Sequence, residues 1–325
     1  MRCLNFASHA LGEGVKLVFL TCTSSAKTVI DDKGFECILT KKYKDVFKEI
    51  KSLKNKKNAK VILLDINYCS TIEQKHEYFY FLQQLKTLGL FLITFEDLSS
   101  DVFPADIVVI PYLGAESHKF QKKKESQYLL GPKYFPVREE FLKININQTP
   151  KENVKTILVT MGGSDPNQIT KKVVKALSNL KLNVHLIIVL GYLSQLSCVQ
   201  VKALLSNYGG SYKVIKDAKN MAKLMNESQL AITNSGLTKY EMANMGLPTI
   251  IITNSREYNT LMDDFASYGT AVCLGSNDDV TVESILKSVW QLINDRKKRK
   301  KMSSLGKQLV DGQGSERIFN YIPKY

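Results

Sequence analysis

The chain has 325 residues and a net charge of +14, because 45 Lys and Arg outnumber 31 Asp and Glu. This length exceeds what one ordinary hydrophobic core organises, and it predicts two domains. Hydrophobic residues make up 44% of the chain and charged residues 23%, which excludes wholesale disorder. The positive charge favours anionic partners such as phosphorylated metabolites, nucleic acid or an acidic membrane surface.

Other patterns exclude further classes of protein. No apolar run reaches the ~18 residues that span a bilayer, and the N-terminal segment has no signal-peptide pattern. The six cysteines are scattered without a C-x-x-C pair, which indicates reduced thiols in a cytoplasmic protein. The four histidines show no metal-ligand spacing, so we expect no zinc site. We also expect no cofactor.

The first half of the chain alternates short β-branched runs with amphipathic stretches, which predicts a doubly wound α/β domain. A polar linker at 143–155 separates it from a second α/β unit, so we place the domains at 1–145 and 146–325. Residues 282–310 are typical of terminal helices. Strands are predicted at 15–21, 60–65, 90–95, 107–110, 156–161, 184–190, 230–233, 249–253 and 270–274. Helices are predicted at 43–53, 72–88, 167–177, 196–207, 221–226, 238–245 and 261–268.

A glycine turn follows the first strand of the second unit, at Gly162, Gly163 and Ser164. Glycines let the backbone approach a ligand closely, and the N-terminus of the following helix favours a phosphate. Pro166 suits the first turn of that helix, and Ser164 or Asp165 can cap it. The alternative is an ordinary turn between a strand and a helix, because the segment is neither a Walker loop nor G-x-G-x-x-G.

A second turn, Asn234-Ser235-Gly236, opens a short helix after another strand. In open α/β sheets, ligands bind at this carboxyl edge. Glu241 lies about one and a half turns into the helix, where its carboxylate could accept two ribose hydroxyls. The alternative makes Glu241 a solvent-facing helix residue. Two such turns in one domain favour a nucleotide-diphosphate site.

Three further features have two interpretations each. Asp65 and Tyr68 follow a strand of the first domain, where they could face a cleft, although Asp65 could equally cap the next helix. Arg138 is either a charge partner for a phosphate or a surface helix residue. The basic run 296–301 is either a solvated cluster at a helix C-terminus or a contact with anionic lipid at a membrane surface. No aromatic interleaving or helix-turn-helix accompanies it, so we expect no nucleic-acid partner.

Eight segments together resemble the UDP-sugar hydrolases of pseudaminic acid biosynthesis, which release UDP from a diacetamido-trideoxyhexose nucleotide. Proteins labelled spore-coat polysaccharide glycosyltransferases are grouped with them. The second turn is also similar to that of the peptidoglycan GlcNAc transferase. The resemblance implies a GT-B-like α/β fold, with two doubly wound parallel-sheet domains facing a cleft and the nucleotide held mainly by the C-terminal domain. The segments are 1–11, 64–68, 95–97, 131–141, 161–166, 221–228, 234–248 and 311–317.

The resemblance also implies roles for individual residues. Glu241 would bind the ribose, Tyr68 would lie near the sugar, and Arg138 matches an arginine of a family motif. Water would attack at or near the anomeric carbon with a histidine as base, no metal would take part, and UDP would leave onto preoriented N–H groups. The expected substrate is a UDP-sugar of nonulosonic acid or surface glycan synthesis. The second turn would face the diphosphate through Asn234, Ser235, Gly236, Leu237 and Thr238. The first turn would face the cleft through Gly162, Gly163 and Ser164.

Two departures from the family pattern matter. The family has a strand and a G-x-G-H turn directly before the helix that opens with Met1, and none of the four histidines here matches that position, His9 included. Because that strand is normally central, we expect an open apolar slot in the first sheet. The family also often has Asn-Gln where this chain has Glu257 and Tyr258. The alternatives to a hydrolase are a GT-B glycosyltransferase with a UDP-sugar donor and a non-catalytic or truncated nucleotide-sugar-binding protein.

Overall fold

The structure, a computed structural model, describes residues 2–40, 43–66, 72–96, 102–117, 125–144, 152–256 and 259–325. The chain forms two compact units, one of Met1–Pro136 with Gln313–Tyr325 and one of Val137–Gly312. Every strand pairing in both units is parallel among the described residues, which confirms the predicted α/β class. The C-terminal segment belongs to the first unit, an arrangement that the predicted limits 1–145 and 146–325 did not include. The roles assigned to the two halves stay predictions.

The first unit alternates strands and helices along the chain. Its strands form two sheets, β1–β2 and β3–β4–β5–β6. The strands are β1 (Val18–Thr21), β2 (Glu36–Leu39), β3 (Val61–Leu64), β4 (Phe91–Phe95), β5 (Ile107–Ile110) and β6 (Gln127–Leu130). The helices are α1 (Arg2–Gly12), α2 (Ser24–Asp31), α3 (Tyr43–Lys57) and α4 (Ile72–Thr87), and a 3-10 turn covers Pro132–Tyr134.

The strand order of the first unit is interrupted between β1 and β3. Leu20 of β1 and Ile62 of β3 border the same apolar cluster, and Leu17 and Val61 border a second one. The two strands therefore lie between the same two apolar layers, yet no ladder hydrogen bonds join these described segments. The interruption lies where the sequence predicts an open apolar slot, and the slot itself stays a prediction.

The second unit is built on one parallel sheet of six strands, five of which were predicted, in the order β12–β11–β10–β7–β8–β9. Its strands are β7 (Thr156–Thr160), β8 (His185–Leu190), β9 (Tyr212–Lys216), β10 (Leu230–Asn234), β11 (Thr249–Thr253) and β12 (Ala271–Ser276). Its helices are α5 (Glu139–Leu142), α6 (Ile169–Leu177), α7 (Cys198–Leu204), α8 (Met221–Glu227), α9 (Thr238–Asn244), α10 (Asn259–Tyr268), α11 (Val282–Asn294) and α12 (Arg296–Leu309). The last helix, α13 (Gly314–Phe319), packs with α1 in the first unit.

Helix α9 is held in place by a close approach to α12. A Cβ on Gly306 of α12 would lie only 2.8 Å from the carbonyl oxygen of Ala243, so this position requires glycine. The side chain of Asn244 adds a 2.9 Å hydrogen bond to the carbonyl oxygen of Val310. The backbone of α9, and with it the origin of the Glu241 side chain, is therefore fixed by packing.

Among the described residues, no helix combines the length and the apolar character that a membrane crossing requires.

Candidate functional site

The two glycine turns lie side by side at the carboxyl edge of the second sheet. Strands β7 and β10 are parallel neighbours, with Thr160 opposite Thr233, so the loops that follow them meet. Asn234 joins these loops, because its Nδ2 donates to the carbonyl oxygen of Met161 at 2.7 Å. Its Oδ1 accepts from the N–H of Gly236 at 3.0 Å. One buried amide therefore fixes both turns.

The first turn is held against the end of β8. A Cβ on Gly191 would lie 2.2 Å from the carbonyl oxygen of Gly162, and Leu193 donates its N–H to the carbonyl oxygen of Gly163 at 3.0 Å. Gly162 has a φ of +74°, which favours glycine. Gly163 and Ser164 are exposed, and their N–H groups donate to no acceptor among the described residues. This turn therefore presents backbone donors to solvent.

The helix after the first turn begins later than predicted. Helix α6 starts at Ile169, and Pro166 lies in the preceding turn instead of in the first helical turn. The carboxylate of Asp165 accepts from the N–H groups of Ile169 at 2.8 Å and Thr170 at 2.9 Å. Asp165 therefore caps the helix, as one of the two predicted caps. The expectation that this N-terminus receives a phosphate is wrong for those two N–H groups, because Asp165 already occupies them.

The second turn is fixed by a buried lysine that the sequence analysis did not single out. The Nζ of Lys239 donates to the carbonyl oxygens of Ser235 at 2.6 Å and Gly236 at 3.2 Å. The same ammonium lies 4.7 Å from the ring centroid of Tyr240 and 5.5 Å from that of Phe265. A lysine three residues after a Ser-Gly turn is the signal that could have identified it. Helix α9 begins directly after this turn, at Thr238.

Glu241 lies in the first turn of α9 and is only 6% exposed, so the solvent-facing alternative is wrong. Both of its oxygens accept from one guanidinium. Arg138 donates from Nε to Oε1 at 2.6 Å and from Nη2 to Oε2 at 2.8 Å. Burial raises the pKa of the Glu241 carboxyl, and the positive charge of Arg138 opposes that rise.

Arg138 precedes helix α5 and is enclosed on three sides. Its Nη1 lies 3.1 Å from Oε1 of Glu140, and its guanidinium stands 4.8 Å from the ring centroid of Phe141. Burial alone would lower the pKa of Arg138, but the carboxylates of Glu241 and Glu140 outweigh burial and raise it. The surface-residue alternative for Arg138 is wrong, because its guanidinium is engaged by a buried carboxylate.

The remaining predicted site residues fall into two groups. Ser235, Leu237 and Thr238 line the second turn and are half-buried. Tyr68, Glu257 and Tyr258 lie outside the described residues.

Two residues of the first unit that were weighed at the sequence level have structural partners. The Nη2 of Arg2 lies 2.6 Å from Oδ1 of Asp65. His9 packs edge-on against Phe319, with their ring centroids 5.6 Å apart. No group of three or more His, Cys, Asp or Glu side chains in the described parts of the chain is arranged to hold a metal.

The basic run 296–301 opens α12, so the expectation of a helix C-terminus is wrong. One member is structural, because Arg299 is 1% exposed and donates to the carbonyl oxygens of Leu292 at 2.6 Å and Ile293 at 2.7 Å. It also donates to the carbonyl oxygen of Glu152 at 2.6 Å. The other members of the run are exposed: Arg296, Lys297, Lys298, Lys300 and Lys301.

Residues 156–314 match the family model of the glycosyltransferase family 28 C-terminal domain. The matched region contains both glycine turns and Glu241.

Three curated proteins are similar to this chain at low identity. An uncharacterised protein of Methanocaldococcus jannaschii is 30% identical over 246 residues, covering 73% of this chain and 48% of that protein. The spore coat polysaccharide biosynthesis protein SpsG of Bacillus subtilis is 27% identical, covering 58% and 56% of the two chains. A pseudaminic acid cytidylyltransferase and UDP-2,4-diacetamido-2,4,6-trideoxy-beta-L-altropyranose hydrolase of Helicobacter pylori is 27% identical, covering 64% and 36%. The chain thus spans about half, or less, of the length of these relatives.

Two solved structures show the fold. MurG of Acinetobacter baumannii superposes with a TM-score of 0.72 at 14% identity, covering 99% of this chain and 94% of that chain. The UDP-GlcNAc 2-epimerase of Neisseria meningitidis bound to UDP-GlcNAc superposes with a TM-score of 0.62 at 14% identity, covering 94% and 90%. The fold is therefore that of GT-B glycosyltransferases, with two parallel-sheet domains, as predicted.

Proposed function

We propose that the second unit binds the UDP moiety of a nucleotide sugar at the carboxyl edge of its sheet. The observation that carries this proposal is the hydrogen bond from Asn234 to Met161, which joins the turns after β7 and β10. The buried carboxylate of Glu241 lies in the helix that follows the second of these turns. The match of residues 156–314 to a glycosyltransferase C-terminal domain supports it. So do the relatives and fold neighbours whose names include UDP-sugars.

The diphosphate is assigned to the two turns. The exposed backbone of Gly163 and Ser164 offers N–H donors, and successive N–H groups of a turn form concavities that suit anions. The half-buried residues Ser235, Leu237 and Thr238 supply the facing wall. The net charge of +14 favours the approach of such an anion.

The ribose is assigned to Glu241. An ionised carboxylate has about four lone-pair positions, and the bidentate contact with Arg138 uses two of them. The other two suffice for a pair of ribose hydroxyls.

The reaction that we propose is hydrolysis of a UDP-sugar in nonulosonic acid or surface glycan synthesis. The oxygen of water would bond at or near the anomeric carbon while the bond from the sugar to the β-phosphate oxygen breaks. UDP would leave with the bonding electron pair, and the proton lost by the water would pass to solvent. Preoriented N–H groups at the turns would stabilise the charge that develops on the diphosphate. The resemblance across the chain and the Helicobacter pylori relative support hydrolysis.

Transfer of the sugar to an acceptor is the second candidate, because the matched family model is that of glycosyltransferases. The exposed lysines of run 296–301 would suit an anionic, lipid-linked acceptor at a membrane surface. A non-catalytic nucleotide-sugar-binding protein is the third.

Calorimetric titration with UDP tests the binding site. We expect the wild-type chain to bind UDP and Glu241→Gln to bind it roughly tenfold more weakly, because a neutral amide is a poorer acceptor for the ribose hydroxyls. The matched control is Glu227→Gln, an exposed residue at the end of α8, whose affinity should equal that of wild type. Absence of UDP binding, or equal affinities of wild type and Glu241→Gln, would overturn the proposal.

Product analysis separates the candidate activities. Release of UDP from a UDP-diacetamido-trideoxyhexose without any acceptor supports hydrolysis. Release that requires an added lipid-linked or soluble acceptor supports transfer, and binding without turnover of any UDP-sugar supports the third candidate.

A further inference from the structure

We propose that Arg138 is a positioning residue that holds the Glu241 carboxylate toward the ribose and makes no contact with the phosphates. This role rests on the proposed UDP site and adds to it, because it assigns the arginine to the recognition of the ribose diol.

The first argument is geometric. The planar guanidinium of Arg138 meets Glu241 with two parallel contacts of 2.6 Å and 2.8 Å, an arrangement that fixes the plane of the carboxylate. The backbone of α9 is already immobile, because Gly306 packs against Ala243. The side-chain torsions of Glu241 could still vary, and the two hydrogen bonds from Arg138 fix them. The carboxylate is thus preorganised for a ligand with two adjacent hydroxyls.

The second argument concerns charge. Glu140 lies 3.1 Å from Nη1 of Arg138, so two carboxylates flank one guanidinium. The two carboxylates and the guanidinium together carry a negative charge, which disfavours a phosphate group at this position. The bidentate bond to Glu241 and the contact with Glu140 already engage three of the five N–H donors of Arg138. The structure therefore favours the ribose acid as the target of Arg138.

The third argument is that a buried carboxylate needs a partner to remain ionised. The charged groups near Glu241 are Arg138 and Glu140 from the segment around α5. Lys239 of α9 is directed to the carbonyl oxygens of the second turn, and Lys307 of α12 lies against Gly246. Without Arg138, burial would raise the pKa of Glu241 further, and the protonated acid would lose acceptor positions.

The test compares three ligands and three variants by calorimetry. UDP against 2′-deoxy-UDP reports recognition of the ribose diol, and UDP against UMP reports recognition of the second phosphate. The variants are Arg138→Gln, Arg138→Lys and the control Arg296→Gln. Arg296 pairs with Glu152 at 3.0 Å on the exposed surface of the same unit.

We expect Arg138→Gln to bind UDP roughly tenfold more weakly and to lose most of the preference for UDP over 2′-deoxy-UDP. Its ratio of UDP to UMP affinity should remain that of wild type. Its UDP affinity relative to that of wild type should also rise with increasing pH as Glu241 ionises, because the titration of the UDP phosphate is common to both proteins. Arg138→Lys keeps the positive charge but lacks the planar pair of donors, so it should restore the wild-type pH profile but only part of the 2′-hydroxyl preference. Arg296→Gln should match wild type in every titration.

Three outcomes would overturn this role. The first is an unchanged preference of Arg138→Gln for UDP over 2′-deoxy-UDP. The second is a collapse of the ratio of UDP to UMP affinity in that variant, which would make Arg138 a phosphate ligand. The third is a failure of the wild-type chain to bind UDP, which would overturn the proposed function as well, whereas the first two leave it standing. A general loss of structure in Arg138→Gln would be seen as a lowered melting temperature, and the Arg138→Lys titrations then decide.

Discussion

The side chain of Asn234 donates to the carbonyl oxygen of Met161, and this bond connects the ends of two neighbouring strands. The same side chain accepts from the N–H of Gly236. The Nδ2 of this amide therefore donates to the neighbouring turn, and its Oδ1 accepts within its own turn. The relationship explains how two loops that are 73 residues apart hold one geometry.

Replacement of Asn234 by Asp separates these two tasks. The carboxylate still accepts from Gly236 but has no donor for Met161, so a buried carbonyl loses its partner. We expect a loss of about 1–3 kcal/mol in unfolding free energy and weaker UDP binding, measured by urea denaturation and calorimetry. Asn220→Asp, which keeps its side-chain cap on α8, is the matched control. Unchanged UDP affinity in Asn234→Asp would contradict the role given to this tie.

Gly306→Ala tests the packing that fixes α9. The added methyl would stand 2.8 Å from the carbonyl oxygen of Ala243, so helix α9 or α12 must move. Such overpacking costs about 1–3 kcal/mol, and we expect a lower melting temperature together with reduced UDP affinity. At Gly209 an added Cβ meets nothing within 4 Å, so Gly209→Ala should leave both quantities unchanged. Equal melting temperatures of Gly306→Ala and Gly209→Ala would contradict the constraint that Gly306 places on helix α9.

Arg299→Gln tests whether one member of the basic run supports the fold. Its guanidinium donates to the carbonyl oxygens of Leu292, Ile293 and Glu152, which a shorter amide cannot all reach. We expect a loss of about 2–4 kcal/mol, since buried acceptors lose charged donors. The exposed neighbour Lys300, changed to Gln, should alter the unfolding free energy by less than about 0.5 kcal/mol. Guanidinium denaturation of the two variants makes the comparison, and similar midpoints would refute the structural role.

The cysteines should differ in reactivity. Burial raises the pKa of the Cys3 thiol far above its ordinary value, whereas Cys22 is exposed. Because the thiolate is the reactive form, iodoacetamide at pH 8 should alkylate Cys22 well before Cys3 in the folded chain. Peptide mass spectrometry at increasing times measures this order. In denaturant the two thiols should react at similar rates, and faster labelling of Cys3 in the native chain would contradict the raised pKa of its thiol.

The interior strands of the sheets could be predicted from the sequence, whereas three of the edge strands could not. Buried strands such as β7 and β11 are continuous apolar runs, the pattern of a parallel sheet covered on both faces. The strands that escaped prediction, β2, β6 and β9, each stand at the edge of a sheet. Edge strands are partly exposed and tolerate charge, as Lys213 and Lys216 show in β9, so their apolar pattern is weak.

Site residues could be predicted from the sequence where they lie close to a predicted strand. The glycine turns follow strands directly, and Glu241 lies in the helix after the second turn. Their place at the carboxyl edge comes from the topology of a parallel sheet. The partner of Glu241 did not emerge, because Arg138 is 103 residues away and no local pattern connects the two. The number of N–H groups of α6 that Asp165 caps was also not predicted. Asp165 was seen as a possible cap, but its occupation of two N–H groups that a phosphate would need is visible only in the structure.

The interruption between β1 and β3 has a consequence for how the first unit opens. Strands β1 and β2 are joined to each other but share no ladder with the described segment of β3, so they can separate from it without breaking any strand-to-strand hydrogen bond. Apolar contacts of side chains such as Leu20 resist that movement. The pair should behave as a cooperative unit of low local stability. Its amide hydrogens should exchange with solvent well before those of β4 and β5, at free energies below that of global unfolding.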